Sequence, residues 1–394
     1  MFWKLTQVNE KRDITILAFV VVLMVGGGNA KADFTFGEPT NLGAPVNSIY
    51  DECVPNISAD GLSLYFGGYL NNRPGGEGGT DIWLSTRDTV DDPWGAPVHL
   101  APPINTSAED GSTYISADGL MLYFGSMGPG GWGDYDLWVA TRATTDDPWG
   151  EPENLGSTVN SEYTDICPSL SPDGLSLYFS GGPYSFRPEG LGEGDIWVST
   201  RETVAEPWGK PKNLGAPINS SFREMAPSIS SDGRVLFFQS TRSGGPADIW
   251  MTTRPTTEDD WEPPVKLESP INTSASDVNP NISPDGSTLY FSSKRSGGQG
   301  GYDLYQVSIT PVVDFNGDGK VDRQDVGELM LHWGTDDFRY DIGPMPWGDG
   351  IVDSKDLMVL AEYGAILAGD VNYDGVVDFL DLAEVAKNWL RQQP

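Results

Sequence analysis

Histidine and cysteine are nearly absent: two of each occur in 394 residues, His99 and His332, Cys53 and Cys167. Two histidines so far apart argue against a Ser-His-Asp triad and against a histidine-rich zinc site, which both need imidazole beside other reactive groups. Basic residues are scarce too, 24 Lys and Arg against 57 Asp and Glu, for a formal net charge of −33. Such a surface repels phosphate backbones and anionic bilayers and attracts cations, so nucleic acid is not an expected partner. No glycine-rich loop follows a strand and opens a helix, as a phosphate-binding loop must; the glycine clusters sit in hairpins. The most apolar run, Ile14 to Val25, is too short for a bilayer span, which takes about 20 residues. Preceded by Lys4, Lys11 and Arg12 and followed by Ala30-Lys31-Ala32, it reads as a secretory signal peptide over residues 1–32, cut before Asp33. The mature chain is then expected outside the cell or at its surface, with no membrane span.

Helical periodicity is missing between Asp33 and Thr310. In its place stands a unit that returns five times. Its turn reads Ser58-Ala-Asp-Gly61, Ser116-Ala-Asp-Gly119, Ser171-Pro-Asp-Gly174, Ser230-Ser-Asp-Gly233 and Ser283-Pro-Asp-Gly286. Its closing triplet reads Asp81-Ile-Trp83, Asp136-Leu-Trp138, Asp195-Ile-Trp197, Asp248-Ile-Trp250 and Asp303-Leu-Tyr305, at spacings of 53 to 59 residues. A period of that size marks a propeller or solenoid array. Within the third unit, Cys167 to Ser171, Leu175 to Gly181, Asp195 to Arg201 and Trp208 to Leu214 read as four strands, and the alternation in Leu175-Ser-Leu-Tyr-Phe-Ser suits a half-buried one. Four strands per unit imply propeller blades, hence a mainly β fold over residues 33–311.

The ends fix the blade count. Trp94, Trp149, Trp208 and Trp261 begin the return strands of the first four units, and nothing similar follows Asp303-Leu-Tyr305. The missing strand stands at the start, where Phe36-Gly-Glu-Pro-Thr-Asn-Leu42 matches Trp208-Gly-Lys-Pro-Lys-Asn-Leu214. The N-terminal strand would therefore close a five-bladed ring and leave no open edge. Aligned on the repeat, Cys53 matches Ile166 and Cys167 matches Val54. Neighbouring strand positions face opposite ways, so two buried free thiols are expected rather than a disulfide.

These repeats, with Ser-x-Arg-Ser-Gly-Gly around Arg242 and Arg295, resemble the TolB-like propellers built from Ser-Pro-Asp-Gly units, also called WD40-like. The resemblance implies a binding scaffold or accessory domain, since fold alone does not carry function.

Two columns recur in all five units. The triplet aspartates Asp81, Asp136, Asp195, Asp248 and Asp303 fit a structural job, a side-chain hydrogen bond that fixes a turn. Acids also stand at the entrance to each innermost strand: Glu52, Asp110, Asp165, Glu224 and Asp277. As a carboxylate ring at one channel mouth they could supply the paired acids of a glycosidase, with pKa values raised by mutual repulsion. Alternatively they accept hydrogen bonds between blades, bind a cation or face water; near-uniformity favours this over the unequal roles of acid and base. Asp51 and Arg223 break the symmetry beside two of them. Long loops at Gly67–Thr80, Ser126–Tyr135 and Gly181–Gly194 carry Tyr69, Arg73, Trp132, Tyr184, Phe186 and Arg187, suited either to a sugar face or to anchoring the loops. Arg73, Trp132, Tyr184, Arg187 and Arg223 are the candidate ligand contacts.

Residues 312–394 differ. Asp314, Asn316, Asp318, Asp322 and Asp325 occupy positions 1, 3, 5, 9 and 12 of a loop with Gly319 at 6 and the Lys320 carbonyl at 7. Asp370, Asn372, Asp374, Asp378 and Asp381 repeat it, with Gly375 at 6 and the Val376 carbonyl at 7. Oxygen donors at this spacing suit Ca²⁺. Helices are expected at Val326–Trp333 and Leu382–Leu390. A third, degenerate unit lies between, Asp349-Gly-Ile-Val-Asp353-Ser-Lys-Asp356, followed by a helix from Leu357 to Tyr363. Met345 and Trp347 stand where two of its ligands should be, so either Asp341 reaches in across a longer loop or the unit holds no metal. Calcium loop, single helix, Asp at position 12 and tandem copies resemble the dockerin domain. That resemblance implies a Ca²⁺-dependent α-helical module that binds a cohesin-like protein partner and attaches secreted proteins to polysaccharide-processing assemblies. The usual dockerin pair is here three units. The expectation is thus an exported binding protein with a glycan or protein ligand. The competing expectations are a glycoside hydrolase or lyase that uses the acidic ring, and a purely structural surface protein.

Overall fold

The computed structural model describes residues 34–68, 73–182, 187–317, 321, 323–335, 337, 340–343, 348 and 351–363. The expected signal peptide, Tyr69, Tyr184, Phe186 and the whole second calcium loop lie outside them.

Four sheets of four strands and one of five make up blades 1 to 5 in chain order. Their innermost strands are Glu52–Ile57, Asp110–Ile115, Asp165–Leu170, Glu224–Ile229 and Asp277–Ile282. Each packs against the innermost strands of the blades on either side, and the cycle closes between blades 5 and 1. Blade 5 takes its outer strand from Thr40–Asn41, paired with the long strand Asp303–Pro311, and Phe34–Phe36 pairs further along the same strand. The ring is therefore five-bladed and closed by the N-terminal segment.

Local chemistry explains the repeat. In blade 1 the Ser58 hydroxyl donates to Asp60 Oδ1 at 2.6 Å, while Ser58 Oγ accepts the Ser63 N–H at 2.9 Å. Asp60 also accepts the Leu62 N–H at 2.9 Å, and Gly61 supplies the left-handed φ of 70° that the turn needs. Outer strands are shorter than expected, only two residues, as in Lys212–Asn213. A proline precedes each one (Pro39, Pro97, Pro152, Pro211, Pro264), and without an N–H pairing starts only after it. Nor is the second strand half-buried: Leu177, Tyr178, Phe179 and Ser180 are all buried, because neighbouring blades cover both faces.

Blades are tied by side chains. Tyr65, Tyr123, Tyr178 and Tyr290 face Arg142, Arg201, Arg254 and Arg87 of the next blade. These arginines lie 4.1–4.3 Å above Trp94, Trp149, Trp208 and Trp261. At the closing blade the arginine position is Ile309, and blade 4 carries Phe237 in place of the tyrosine. Both join an apolar cluster with Phe36 from the N-terminal strand. Polar and apolar versions of the contact thus change together.

A third column, not anticipated, is Asn47, Asn105, Asn160, Asn219 and Asn272, all buried. Each Oδ1 accepts a strand N–H, from Leu304, Ile82, Leu137, Ile196 and Ile249 respectively, at 2.8–2.9 Å, and each Nδ2 donates to the same residue's carbonyl. Asn219→Ala should orphan the buried Ile196 N–H and destabilise the propeller by about 1–3 kcal/mol. The loss would appear as a lower urea midpoint at unchanged slope, whereas Lys210→Ala, at an exposed position, should leave the midpoint in place.

Candidate functional site

The triplet aspartates are buried and hold the loops that precede them. Asp81 accepts the N–H groups of Glu77 and Gly78, Asp195 those of Leu191 and Gly192, and Asp303 those of Gln299 and Gly300. Asp136 does the same for Trp132 and Gly133. In blade 4 a shorter loop changes the partners, and Asp248 accepts from the Ser243 hydroxyl and from Lys266, 2.7 Å away. The structural role fits all five.

The entrance acids sit close by and are equally enclosed, with exposures of 0–2 %. Each accepts both the N–H and the hydroxyl of the residue four positions earlier: Ser48, Thr106, Ser161, Ser220 and Thr273. Four also face an arginine. Asp277 lies 2.8 Å from Arg295, Glu224 3.2 Å from Arg242, Glu52 3.7 Å from Arg73, and Asp165 is bonded to Arg187. The same guanidinium groups donate to backbone carbonyls and lie over the rings of the blade's second and third strands, as Arg187 does over Phe179 and Trp197. Arg73 and Arg187, two candidate ligand contacts, are therefore inward-turned equivalents of Arg242 and Arg295.

The acids do not line the central cavity. That space is bounded by Val54, Thr113, Cys167, Ala226, Asn279 and the prolines beside them, with room of about 20 Å³ for water-sized occupants. A single water needs roughly 10–15 Å³ on such a scale, so a sugar ring does not fit. Val54, Ser112, Cys167, Ala226 and Asn279 share a left-handed φ of 52–55° at the same bulge of each innermost strand. Val54 and Cys167 are thus true equivalents. Both cysteines are free and buried, and burial pushes the Cys167 thiol up to about 11, so neither is a ready nucleophile.

This end of the propeller exposes apolar and aromatic groups beside charged ones such as Asp134, Glu162 and Glu193. Ile49, Met127, Trp132, Leu191 and Phe222 are exposed, Trp132 at 61 %. Gly133 lies against the Tyr163 carbonyl and Gly192 against the Phe222 carbonyl, so each loop rests on the entrance segment of the next blade. Arg223 reaches across one such junction to Glu193 at 2.9 Å, while Asp51 Oδ1 accepts the Tyr302 N–H at 2.7 Å.

Beyond Pro311 the described helices are α1, Arg323–Leu331, and α2, Ser354–Tyr363, both starting earlier than expected. The first and middle units share one core of Val313, Val326, Leu329, Tyr340, Ile342, Val352, Leu357 and Leu360. In the first loop Asp325 is fully buried and accepts the Phe315 and Asn316 N–H groups, and Asp314 accepts that of Gly317. Gly317 in this loop has a φ of 73°. Asp318, Lys320 and Asp322 lie outside the described residues, as do Asp370, Asn372, Asp374, Val376, Asp378 and Asp381. In the middle unit Asp356 accepts the Gly343 and Asp353 N–H groups and is pushed up to about 6, first by burial. The Asp341 carboxyl lies against Gly348, filling the place a side chain there would take. Among the described residues no three His, Cys, Asp or Glu are grouped to hold a metal ion.

No family model and no curated protein matches this chain. Among solved structures, a protein assigned as TolB in Agrobacterium tumefaciens is 21 % identical, covering 63 % of this chain and 72 % of its own, with TM-score 0.40. TolB from Acinetobacter baumannii is 14 % identical over 66 % of this chain and 54 % of its own, with TM-score 0.42. The α-L-arabinofuranosidase of Podospora anserina, solved with cellotriose, is 13 % identical over 71 % and 98 %, with TM-score 0.46. These are propeller neighbours; strand order and blade contacts define the fold here.

Burial raises Glu52 from 4.5 to about 7, with hydrogen bonds from Ser48 and the charge of Arg73 opposing. A carboxyl whose folded pKa is raised contributes stability that is complete below 4.5 and is lost as pH climbs through about 7. Urea midpoints of the protein should therefore fall across that window, and Glu52→Gln should flatten the fall. Parallel profiles for the two proteins would show that Glu52 stays ionised.

Proposed function

We propose that this chain is an exported, modular binding protein. Its propeller recognises a glycan or protein at the loop end, and its C-terminal region is a dockerin-like, Ca²⁺-dependent module that docks it to a cohesin-like partner in a polysaccharide-processing system. One observation carries the binding reading: all five entrance acids are enclosed and engaged by their own blade, while Trp132, Phe222, Leu191 and Ile49 at that end stand exposed beside charged residues such as Glu162 and Glu193. A glycosidase needs two carboxyls open to one bond, roughly 5–9 Å apart; here each carboxyl ends in a separate nest of donors. The competing reading, a glycoside hydrolase or lyase, draws on the raised pKa of Glu52, which suits a general acid; burial raises Asp110 and Asp165 as well.

In the C-terminal region Asp314, Asn316, Asp318, Asp322, Asp325 and the Lys320 carbonyl would hold one ion. Asp370, Asn372, Asp374, Asp378, Asp381 and the Val376 carbonyl would hold another. Bound Ca²⁺ would supply the charge that lets these carboxylates gather, and so order the helices that follow them.

The deciding experiment is a screen of polysaccharides and candidate protein partners for binding and for product release, with Trp132→Ala and Arg223→Ala variants alongside. Saturable binding without products, weakened by Trp132→Ala, is the expected result; product release that vanishes in Glu52→Gln would replace it with the hydrolase reading. By titration calorimetry, pairing Asp314→Ala with Asn316→Ala should remove one bound Ca²⁺ per chain, and pairing Asp370→Ala with Asp374→Ala another. Unchanged stoichiometry would exclude these ligands.

A further inference from the structure

Blade 2 departs from its four siblings at one position. Arg73, Arg187, Arg242 and Arg295 each bring a guanidinium to the entrance acid of their blade, and the corresponding residue in blade 2 is Gly128. The correspondence rests on backbone geometry: Gly128 N–H donates to Ser126 Oγ at 2.9 Å, as Arg242 N–H does to Ser240 Oγ and Arg295 N–H to Ser293 Oγ, both at 3.1 Å. Everything that receives the guanidinium elsewhere is nevertheless present in blade 2. Asp110 is fully buried, accepts only neutral donors, Thr106 and Ser126, and has no cation paired with it among the described residues. In three siblings the guanidinium donates to two successive carbonyls, Pro45 and Val46, Pro217 and Ile218, Pro270 and Ile271; in blade 3 it donates to Val159. Their counterparts, the carbonyls of Pro103 and Ile104, accept no hydrogen bond from the described residues. The flanking rings are kept too, Phe124 paired with Trp138 where the siblings pair Phe66 with Trp83 and Phe238 with Trp250.

Apart from Ser126 Oγ at 3.0 Å, a close contact, a Cβ built on Gly128 meets no atom within 4 Å, and Met127 beside it is 41 % exposed.

We propose that blade 2 holds a guanidinium-recognition subsite that takes an arginine side chain from a partner protein, seated on Asp110 and the Pro103 and Ile104 carbonyls between Phe124 and Trp138. This adds to the binding role proposed above and rests on that reading only for the existence of a partner. Three features suit arginine over other cations. Successive carbonyls beside a carboxylate match the planar fork of donors, the flat ion stacks on aromatic faces, and four copies within the same chain show the arrangement filled. A net charge of −33 favours a basic protein segment over a free amino acid, whose own carboxylate the surface repels.

The test uses the full chain and Nα-acetyl-L-arginine N-methylamide as probe, with the citrulline analogue as its neutral isostere and free L-arginine as a third arm. Calorimetry should show saturable binding of the arginine probe, with citrulline roughly tenfold weaker or worse, the usual scale for exchanging a charge-assisted hydrogen bond for a neutral one. Gly128→Arg should fill the subsite from within, abolish probe binding and raise the urea midpoint. Asp110→Asn, which keeps the shape, should weaken the probe by a similar factor and serves if Gly128→Arg does not fold. Equal binding of arginine and citrulline probes, undiminished binding in either variant, or no saturable binding at millimolar probe overturns the subsite. Tighter binding of free L-arginine than of the capped probe overturns the partner-protein assignment. None of these readouts depends on a glycan ligand or on Ca²⁺, so failure here and failure of the proposed function are separable.

Discussion

Ten carboxylates are buried in this propeller, two per blade, and an uncompensated buried charge is costly enough to unfold a domain. Much of the loop-end architecture answers that constraint. The triplet aspartate draws backbone N–H groups of the preceding loop onto itself in four blades, and the entrance acid draws in the segment that leads from one blade to the next. Compensation therefore doubles as shape: the donors needed by the charge are the ones that fold the loops. It also explains why acids at a propeller's loop end need not form an active site. A carboxyl already holding a Ser or Thr hydroxyl, a backbone N–H and an arginine has few lone pairs left for substrate.

Closure is the second organising condition. Four junctions set a buried tyrosine against an arginine stacked on tryptophan. The remaining one, at blade 5, is built from Phe237, Ile309 and Phe36. The N-terminal segment brings its own apolar residues to the seam, so that junction can dispense with the polar device.

Much of this was legible in the chain. Turns, triplets, the blade count and the seam at Phe36–Leu42 followed from spacing, and the one-position offset of Cys53 and Cys167 foretold their different surroundings. The arginine column was not. Arg242 and Arg295 follow their second strands closely, whereas Arg73 and Arg187 stand several residues further on in longer loops, so linear position hid their equivalence. Shared partners, not spacing, reveal it. The same masking hid the gap at Gly128, since an absence shows only once the column is drawn. The asparagine column escaped because its residues stand in irregular segments, where no strand or helix period selects them. Of the candidate site, the inward turn of the loop arginines could not be read from the sequence.

The seam has a mechanical side. Phe34 pairs with Pro311 and Phe36 with Ile309, antiparallel, so the chain enters and leaves the propeller at neighbouring points on one edge. Tension applied between the Phe34 end and a load held beyond Pro311 would pull that pair apart rung by rung, starting from the outermost, rather than loading all its hydrogen bonds at once. Under force the ring would open at its N-terminal strand while four complete blades remained intact.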